Sequence, residues 1–283
     1  MCEFCHEHGE GKKWYLQMKN YARELLDAEL SGYQRRIVKA NSRREWLGNF
    51  MSSFVQGSQT ESSERPAGRR PAKPRPLSTR ERVKRQQVEH FGQVLPIEDV
   101  EAVINMVDSI TRMPCGCRLA TTGNASARYC FGVGLDQWGV LGKYPGGAFE
   151  VLEKPEAVKL FREFDREGLM HSIWTGVTPY TIGICNCDHD CQAYRHSIEN
   201  RGHSTFFRAE YVAEVNRDQC TGCKRCMQQC QFGAMFYSSA QVKAYINPGY
   251  CYGCGVCRAV CKKQAISLLP RQEHPQAAKL WLK

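Results

Sequence analysis

The chain has 283 residues, a formal net charge of +10 and 42% hydrophobic residues. This length suggests about two domains, and the hydrophobic content is enough for folded cores. The apolar runs are far shorter than the roughly 20 residues of a membrane-spanning helix, and Met1 is followed by Cys2, Glu3 and Phe4 instead of a basic and apolar leader. We therefore expect no secretory signal, no transmembrane helix and a cytoplasmic protein.

Cysteine is the most informative residue type, with 16 copies. In a chain without an export signal we expect reduced thiolates that bind metals or carry out redox chemistry, not disulfides. The spacing of the cysteines is too regular for scattered buried thiols.

The first motif combines two cysteines and two histidines, namely Cys2, Cys5, His6 and His8. Its C-x-x-C-H core is formally the attachment motif of c-type haem. Haem attachment normally requires export, which makes haem the least favoured reading. Two other interpretations remain: the motif binds zinc or an iron–sulfur cluster, or it binds nothing and forms a mobile terminus.

The segment 1–56 also carries two helical patterns. One series is Trp14, Met18, Tyr21, Leu25 and Leu26, and the other is Trp46, Phe50 and Phe54. Apolar residues at steps of three and four with arginines between them predict two amphipathic basic helices. Their aromatic side chains can pack on a partner subunit, which we favour, or enter a membrane surface as a peripheral contact.

Residues 57–90 read as a basic linker or arm. Residues 57–79 are rich in Pro, Ser and Arg and lack apolar periodicity, so they cannot bury enough surface to offset the entropy of ordering. Residues 11–90 contain 18 Lys or Arg against 8 Asp or Glu, which accounts for the whole net charge. Nucleic-acid binding has this charge in its favour, but the segment contains no recognisable binding module, so we do not expect it to be the main role.

Residues 91–210 form the predicted middle domain. The series Val100, Val103, Ile104, Val107 and Ile110 predicts one helical face. Pro155 to Glu167 predicts a second helix, because Pro stands at its start and Gly168 just past its end. Met170 to Trp174 reads as a short apolar strand.

The middle domain also contains a constellation of six cysteines within 77 residues: Cys115, Cys117, Cys130, Cys185, Cys187 and Cys191. His171, His189 and His196 stand near them in sequence. The two sulfurs of a C-x-C pair can flank one metal or serve two adjacent ones. Because thiolates are soft ligands, we favour a third iron–sulfur cluster over zinc or metal-free thiols, and leave open which cysteines bind.

The strongest signal is an internal repeat. Four cysteines spaced C-x2-C-x2-C-x3-C occur twice: Cys220, Cys223, Cys226 and Cys230, then Cys251, Cys254, Cys257 and Cys261. Three sulfurs of such a loop can converge on one iron–sulfur cube while the fourth points away. Zinc ribbons usually separate two C-x2-C pairs by a longer stretch, so zinc is disfavoured.

At these eight cysteines, over roughly residues 211–269, the sequence resembles the bacterial two-cluster ferredoxins. The resemblance implies two [4Fe-4S] clusters with crossed ligation: Cys220, Cys223, Cys226 and Cys261 hold one, and Cys251, Cys254, Cys257 and Cys230 hold the other. It departs from the family at Gln231 and Lys262, where Pro usually follows the fourth cysteine. The cysteine-rich region before it resembles, more weakly, iron–sulfur proteins of anaerobic metabolism.

The whole chain is thus expected to be α+β: a helical arm (1–56), a linker (57–90), a cysteine-rich middle domain (91–210) and a ferredoxin domain with its tail (211–283). Glu214 to Pro270 carries seven basic and two acidic residues, net +5, which favours an acidic protein partner. We predict an electron-transfer subunit of an oxidoreductase complex. The alternative is a reductase whose middle cysteine site is catalytic, with His171 or His189 as acid or base.

Overall fold

The computed structural model describes residues 13–21, 78, 92–136, 147–177, 180–199 and 206–280. The motif of Cys2, Cys5, His6 and His8, the helix predicted around Phe50 and nearly all of the predicted linker lie outside these residues. Within them, no helix is long and apolar enough to cross a membrane. Helices and strands are mixed, as expected for an α+β protein.

The middle domain is built on a seven-stranded sheet in the order β4-β2-β3-β6-β5-β1-β7. Its strands are β1 (Gly92–Leu95), β2 (Ile110–Met113), β3 (Cys130–Val133), β4 (Glu150–Val151), β5 (Met170–Val177), β6 (Tyr180–Cys187) and β7 (Phe206–Phe207). All neighbours are antiparallel except β1 and β7. Successive side chains alternate between the two faces. One face of the sheet therefore packs against a pair of helices, and the other face carries cysteines.

Helices α1 (Ile97–Met106) and α3 (Lys154–Glu167) cover the first face. Val103 and Phe161 are fully buried there against Phe131 and Ile184 of the sheet. The sequence predicted α3 correctly, and Gly168 ends it in the left-handed conformation, with φ of 90°. The predicted α1 was too long, because Val107 already has a β-type backbone conformation and Ile110 begins β2.

Residues 13–21 pack into this same core. They form two 3₁₀ helices, Trp14–Leu16 and Met18–Tyr21, with an extended Gln17 between them. Trp14 and Tyr15 are fully buried, Tyr15 donates to Asp99 of α1, and Met18 is 60% exposed. The prediction of one continuous amphipathic helix is therefore wrong here. Trp14 packs inside its own chain, which leaves it unavailable to a membrane or a partner.

The C-terminal region repeats one small unit. Its elements are β8 (Tyr211–Val215), α5 (Arg225–Gln229), β9 (Met235–Ser238), β10 (Lys243–Ile246), α6 (Val256–Ala259) and β11 (Ile266–Pro270). β8 pairs with β11 and β9 pairs with β10, both antiparallel. Each cysteine repeat runs from a strand through a loop into a short helix and then to the next strand, so the sequence repeat is also a structural repeat.

Polar contacts fasten the C-terminal region to the middle domain. Arg258 of α6 forms an ion pair with Glu98 of α1 at 2.5 Å. Tyr211 of β8 donates to Asp99 at 3.0 Å, and Gln93 of β1 donates to Glu210 at 3.3 Å. The beginning of α1 and strand β1 are thereby held against α6, β8 and the residue before β8.

Candidate metal centres

The first group of repeat cysteines surrounds a surface cavity of about 220 Å³. It is lined by the sulfur residues Cys220, Cys223, Cys226 and Cys261, the four that the resemblance assigns to one cluster. Cys223 is exposed while Cys226 is buried. Three of these residues come from the first repeat and the fourth from the second, so the structure brings together the predicted crossed set.

The second group lies deeper. A smaller cavity of about 20 Å³ is lined by the other crossed set, Cys230, Cys251, Cys254 and Cys257. The last three are buried, and Cys230 is half-buried. The two candidate centres therefore differ in their access to solvent, although their cysteine spacing is the same.

Backbone amides point at the sulfurs at matching positions of the repeat. Ala234 donates its N–H to Cys230 Sγ and Ala265 donates to Cys261 Sγ, both at 3.3 Å. Ala213 of β8 donates to Cys251 Sγ at 3.4 Å. Such bonds stabilise negative charge on sulfur. They fit thiolates that carry iron, and they occur at the same position after the fourth cysteine of each repeat.

Two glycines allow the cluster-binding loops to approach the neighbouring backbone. Gly222 and Gly253 occupy the left-handed region, with φ of 69° and 74°. A Cβ on Gly222 would lie 2.2 Å from the carbonyl oxygen of Val242, and one on Gly253 would lie 2.0 Å from that of Tyr211. Only glycine fits both the dihedral angle and the space.

Two buried arginines support the deeper centre. Arg271 is fully buried and donates to the carbonyl oxygens of Ala209, Tyr211 and Cys251. Arg208 also donates to the Cys251 carbonyl, at 2.8 Å. Burial lowers the pKa of Arg271 to about 10, which leaves it charged at neutral pH. No sequence signal identified either arginine, because both lie outside the cysteine motifs.

The middle domain brings all six of its cysteines together on the face of the sheet opposite α1 and α3. Cys115 precedes helix α2 (Gly116–Thr122), which contains Cys117. Cys130 of β3 pairs directly with Cys185 of β6. Cys187 ends β6, and Cys191 caps the short helix α4 (Gln192–Tyr194). The predicted constellation is therefore a real cluster in space.

Every one of the six is buried or half-buried. The Sγ atoms of Cys130 and Cys185 lie 3.5 Å apart, and those of Cys187 and Cys191 lie 3.0 Å apart. Cys115 hydrogen-bonds with Cys130, and Cys117 with Cys191. Since no disulfide joins them, these sulfurs form one crowded thiol cluster.

Crowding and burial decide the charge of this cluster. A hydrogen bond with Cys130 favours the Cys185 thiolate, but burial and the surrounding sulfurs outweigh it and raise its pKa to about 12. Hydrogen bonding to Cys130 and burial likewise raise the pKa of Cys115. Six thiolates this close repel one another unless a cation binds between them. The donor set therefore fits an iron–sulfur group, whose irons neutralise the sulfurs.

One buried cation already lies beside the cluster. Arg118 lies 3.9 Å from Cys115 Sγ, pairs with Asp188 at 2.8 Å and donates to the Asn186 carbonyl at 3.0 Å. Its guanidinium also stacks over the ring of Tyr129, 3.8 Å from the ring centre. Arg118 thus ties the first C-x-C motif to the second. The sequence places it directly after Cys117, but nothing in the sequence shows that it is buried.

The histidines do not join the sulfurs as the reductase hypothesis requires. His171 lies on the helix face of the sheet, packs against Phe161 and bonds through Nδ1 to Asn186 Oδ1 at 2.6 Å. Burial lowers its pKa to about 4, so it is neutral. The prediction that His171 acts as an acid or base at this cluster is therefore wrong, because strand alternation places its side chain on the opposite face of the sheet. His189 is largely exposed and pairs with Glu199, and the side chain of His196 lies outside the described residues.

The middle cluster and the deeper repeat centre share one buried apolar cluster, which includes Cys187, Cys191 and Cys254. Gln231 joins them: its side-chain amide donates to the carbonyl oxygens of Gly168 and Cys187, the latter at 3.3 Å. Tyr194 of α4 donates to the Gln231 carbonyl. Gln231 stands where ferredoxins usually have proline. The departure from the family therefore lies at the contact between the two cysteine-rich regions.

Neither region has the arrangement of a preformed site for one metal ion. Within the described residues, no group of three or more His, Cys, Asp or Glu side chains meets that geometry. This holds for the eight repeat cysteines as well as for the six middle ones. Ligands of a polynuclear cluster surround a cube instead of a point, so the cysteines of such a cluster do not converge as the ligands of a single ion do.

Comparison with known families places the repeat. Residues 219–266 match the family model described as a 4Fe-4S dicluster domain. Comparison with curated proteins and with solved structures finds no match. The C-terminal region is therefore a ferredoxin-type domain, and the match does not extend to the middle cysteine cluster.

Proposed function

We propose that this chain is an electron-transfer protein that passes single electrons between its middle cysteine cluster, the two ferredoxin centres and a partner redox enzyme. When bound, iron–sulfur clusters take up and release one electron at a time. The observation that carries the proposal is the contact through Gln231 and Cys187, within an apolar cluster that also contains Cys254.

The order of the centres follows from burial. The middle cluster touches the deeper ferredoxin centre, whose Cys254 is buried. The other ferredoxin centre opens to solvent at the exposed Cys223. An electron would enter or leave at this open centre and pass through the deeper one. The buried middle cluster then stands at the inner end of the path.

The open centre also has the charge of a docking surface. Lys224, Arg225, Lys262 and Lys263 line its cavity. Positive charge around an exposed centre attracts an acidic protein and raises its association rate. The partner we propose is accordingly an acidic one-electron carrier or an acidic subunit of a redox complex.

Reduction of the reconstituted full chain by acidic flavodoxin hydroquinone, followed by stopped-flow absorbance, tests this function. We expect the rate to fall as salt is added, and the double variant Lys262→Glu and Lys263→Glu to lower it about tenfold. Lys159→Glu, an exposed lysine of α3 that does not line the cavity, is the control with the same charge change per residue. If the rate depends neither on salt nor on the double variant, the proposed docking surface is wrong. If no iron–sulfur cluster is reduced at all, the proposed electron transfer is wrong.

A further inference from the structure

The six middle cysteines divide into two sets of three. Cys115, Cys130 and Cys185 form the first set, since Cys130 contacts both of the others. Cys117, Cys187 and Cys191 form the second set, with Cys191 between the other two. Each C-x-C motif therefore gives its first cysteine to one set and its second cysteine to the other.

Strand geometry explains the division. Cys185 and Cys187 lie on the same face of β6, and residues two apart on a strand are separated by roughly 6.6 Å. Cys130 lies directly opposite Cys185, whereas the position opposite Cys187 on β5 is Met170. Cys185 therefore lies beside Cys130, whereas Cys187 lies beside Cys191, and the two cysteines of this motif belong to different sets.

The packing around the two sets differs in the same way. Cys115 and Cys130 belong to an apolar cluster with Met113, while Cys187 and Cys191 belong to the cluster that reaches Cys254. Cys117 and Cys185 touch both clusters. Each set thus has two cysteines inside one apolar cluster and a third, Cys185 or Cys117, between the two clusters.

We infer that the middle domain holds a six-thiolate iron–sulfur centre with two half-sites of three cysteines each. Each half-site would supply three of the four ligands that a [4Fe-4S] unit takes, and a ligand from outside the protein would complete each unit. Such a centre would bind about eight irons, where one four-thiolate cluster binds about four. This inference rests on the proposed function, since it concerns the inner end of the same electron path. The second half-site contacts the ferredoxin domain through Cys187, whose carbonyl oxygen accepts a hydrogen bond from Gln231.

Iron and acid-labile sulfide counted per chain, after anaerobic reconstitution of the full chain, test the inference. We expect about sixteen irons, of which about eight belong to the ferredoxin domain. About twelve irons would overturn the two half-sites and leave the proposed electron path standing. About eight irons, with both ferredoxin signals present in electron paramagnetic resonance, would overturn the middle centre altogether.

Single variants identify the ligands. Cys130→Ser and Cys191→Ser, one from each half-site, are each expected to lose at least about four irons and to retain the eight of the ferredoxin domain, which reports that the chain has folded. Met113→Leu is the control, because Met113 is buried beside Cys115 and Cys130 without being a proposed ligand. If either serine variant keeps the full iron content, the six-cysteine centre is wrong.

Discussion

The ferredoxin domain and the middle domain bring their cysteine thiolates together in two different ways. In the ferredoxin domain the cysteines follow one another in two short loops between Cys220 and Cys261. In the middle domain they come from the start of α2, from β3, and from the end of β6 with α4. Local chain geometry shapes the first kind of site, and only the folded sheet assembles the second.

The two kinds of site also differ in the residues that surround the cysteines. The ferredoxin loops depend on glycine conformation, as at Gly253, and one of their centres reaches the surface at Cys223. The middle cluster is enclosed between a sheet, short helices and the ferredoxin domain, with Arg118 as a buried charge beside it. A locally shaped site can lie at the surface, whereas a site built from distant segments needs a core around it.

The largest expected effect concerns ligation within the ferredoxin domain. The double variant Cys226→Ser and Cys230→Ser removes one ligand from each crossed set, and we expect it to lose about eight irons although the two cysteines are close in sequence. Cys230→Ser with Cys257→Ser removes two ligands of one set, and we expect a loss of about four. Iron content and paramagnetic resonance measure both, with Met227→Leu as the control. Equal losses in the two double variants would contradict crossed ligation.

The role of local backbone geometry is tested by two glycines. Gly253→Ala would place a Cβ 2.0 Å from the Tyr211 carbonyl oxygen, and we expect it to lower the free energy of unfolding by about 3 kcal/mol or more. Gly233→Ala is matched in backbone conformation, with φ of 64°, but meets nothing within 4 Å. We expect about 1 kcal/mol there, from the dihedral angle alone. Urea denaturation measures the difference, and equal costs would mean that the close approach at Gly253 does not matter.

A buried carboxyl group tests the core that supports the middle domain. Burial raises the pKa of Asp165 to about 6, above the usual 3.8, so its charge costs stability once the pH rises through this interval. Asp165→Asn should therefore stabilise the chain by about 2 kcal/mol at pH 7.5 and have little effect at pH 4. Denaturation at the two pH values measures this, and Glu167→Gln, an exposed carboxyl on the same helix, is the control. A gain at pH 4 equal to that at pH 7.5 would contradict the assignment.

His171 acts in the opposite direction over much of the same interval. Its pKa is about 4 in the folded chain against the usual 6.5, so folding excludes a proton and stability is lost as the pH falls from 6.5 to 4. In the native chain the two groups therefore offset each other. Asp165 Oδ1 lies 3.8 Å from His171 Nε2, so Asp165→Asn removes the carboxyl group beside the histidine while the histidine still titrates. We expect stability that decreases on acidification more steeply than in the native chain.

The smallest expected effect is at the junction of the two regions. Gln231→Ala removes donors to the Gly168 and Cys187 carbonyls, and we expect a loss of about 1 kcal/mol in unfolding free energy and slower electron exchange between the regions. Gln241→Ala, at an exposed glutamine of the same domain that lines neither cavity, is the control. Denaturation and flash-initiated electron transfer measure the two effects. If both variants behave identically, Gln231 does not contribute to electron transfer between the two regions.

The sequence by itself determined the ferredoxin repeat, because ligand spacing within an eleven-residue loop depends on local geometry that the residues encode directly. It also determined α3, since Pro155 and Gly168 mark the ends of that helix through their own dihedral preferences. It identified all six middle cysteines as a group, although it could not divide them.

Tertiary structure decided the rest. Strand alternation and register place Cys130 opposite Cys185 and turn His171 to the other face, and neither follows from distance along the chain. The burial of Trp14 depends on the surface of a core formed some 80 residues later in the chain, around Gln93 and Asp99. Contacts such as that of Gln231 with Cys187 exist only once two separately encoded regions pack together, because packing depends on the shape of both surfaces at once.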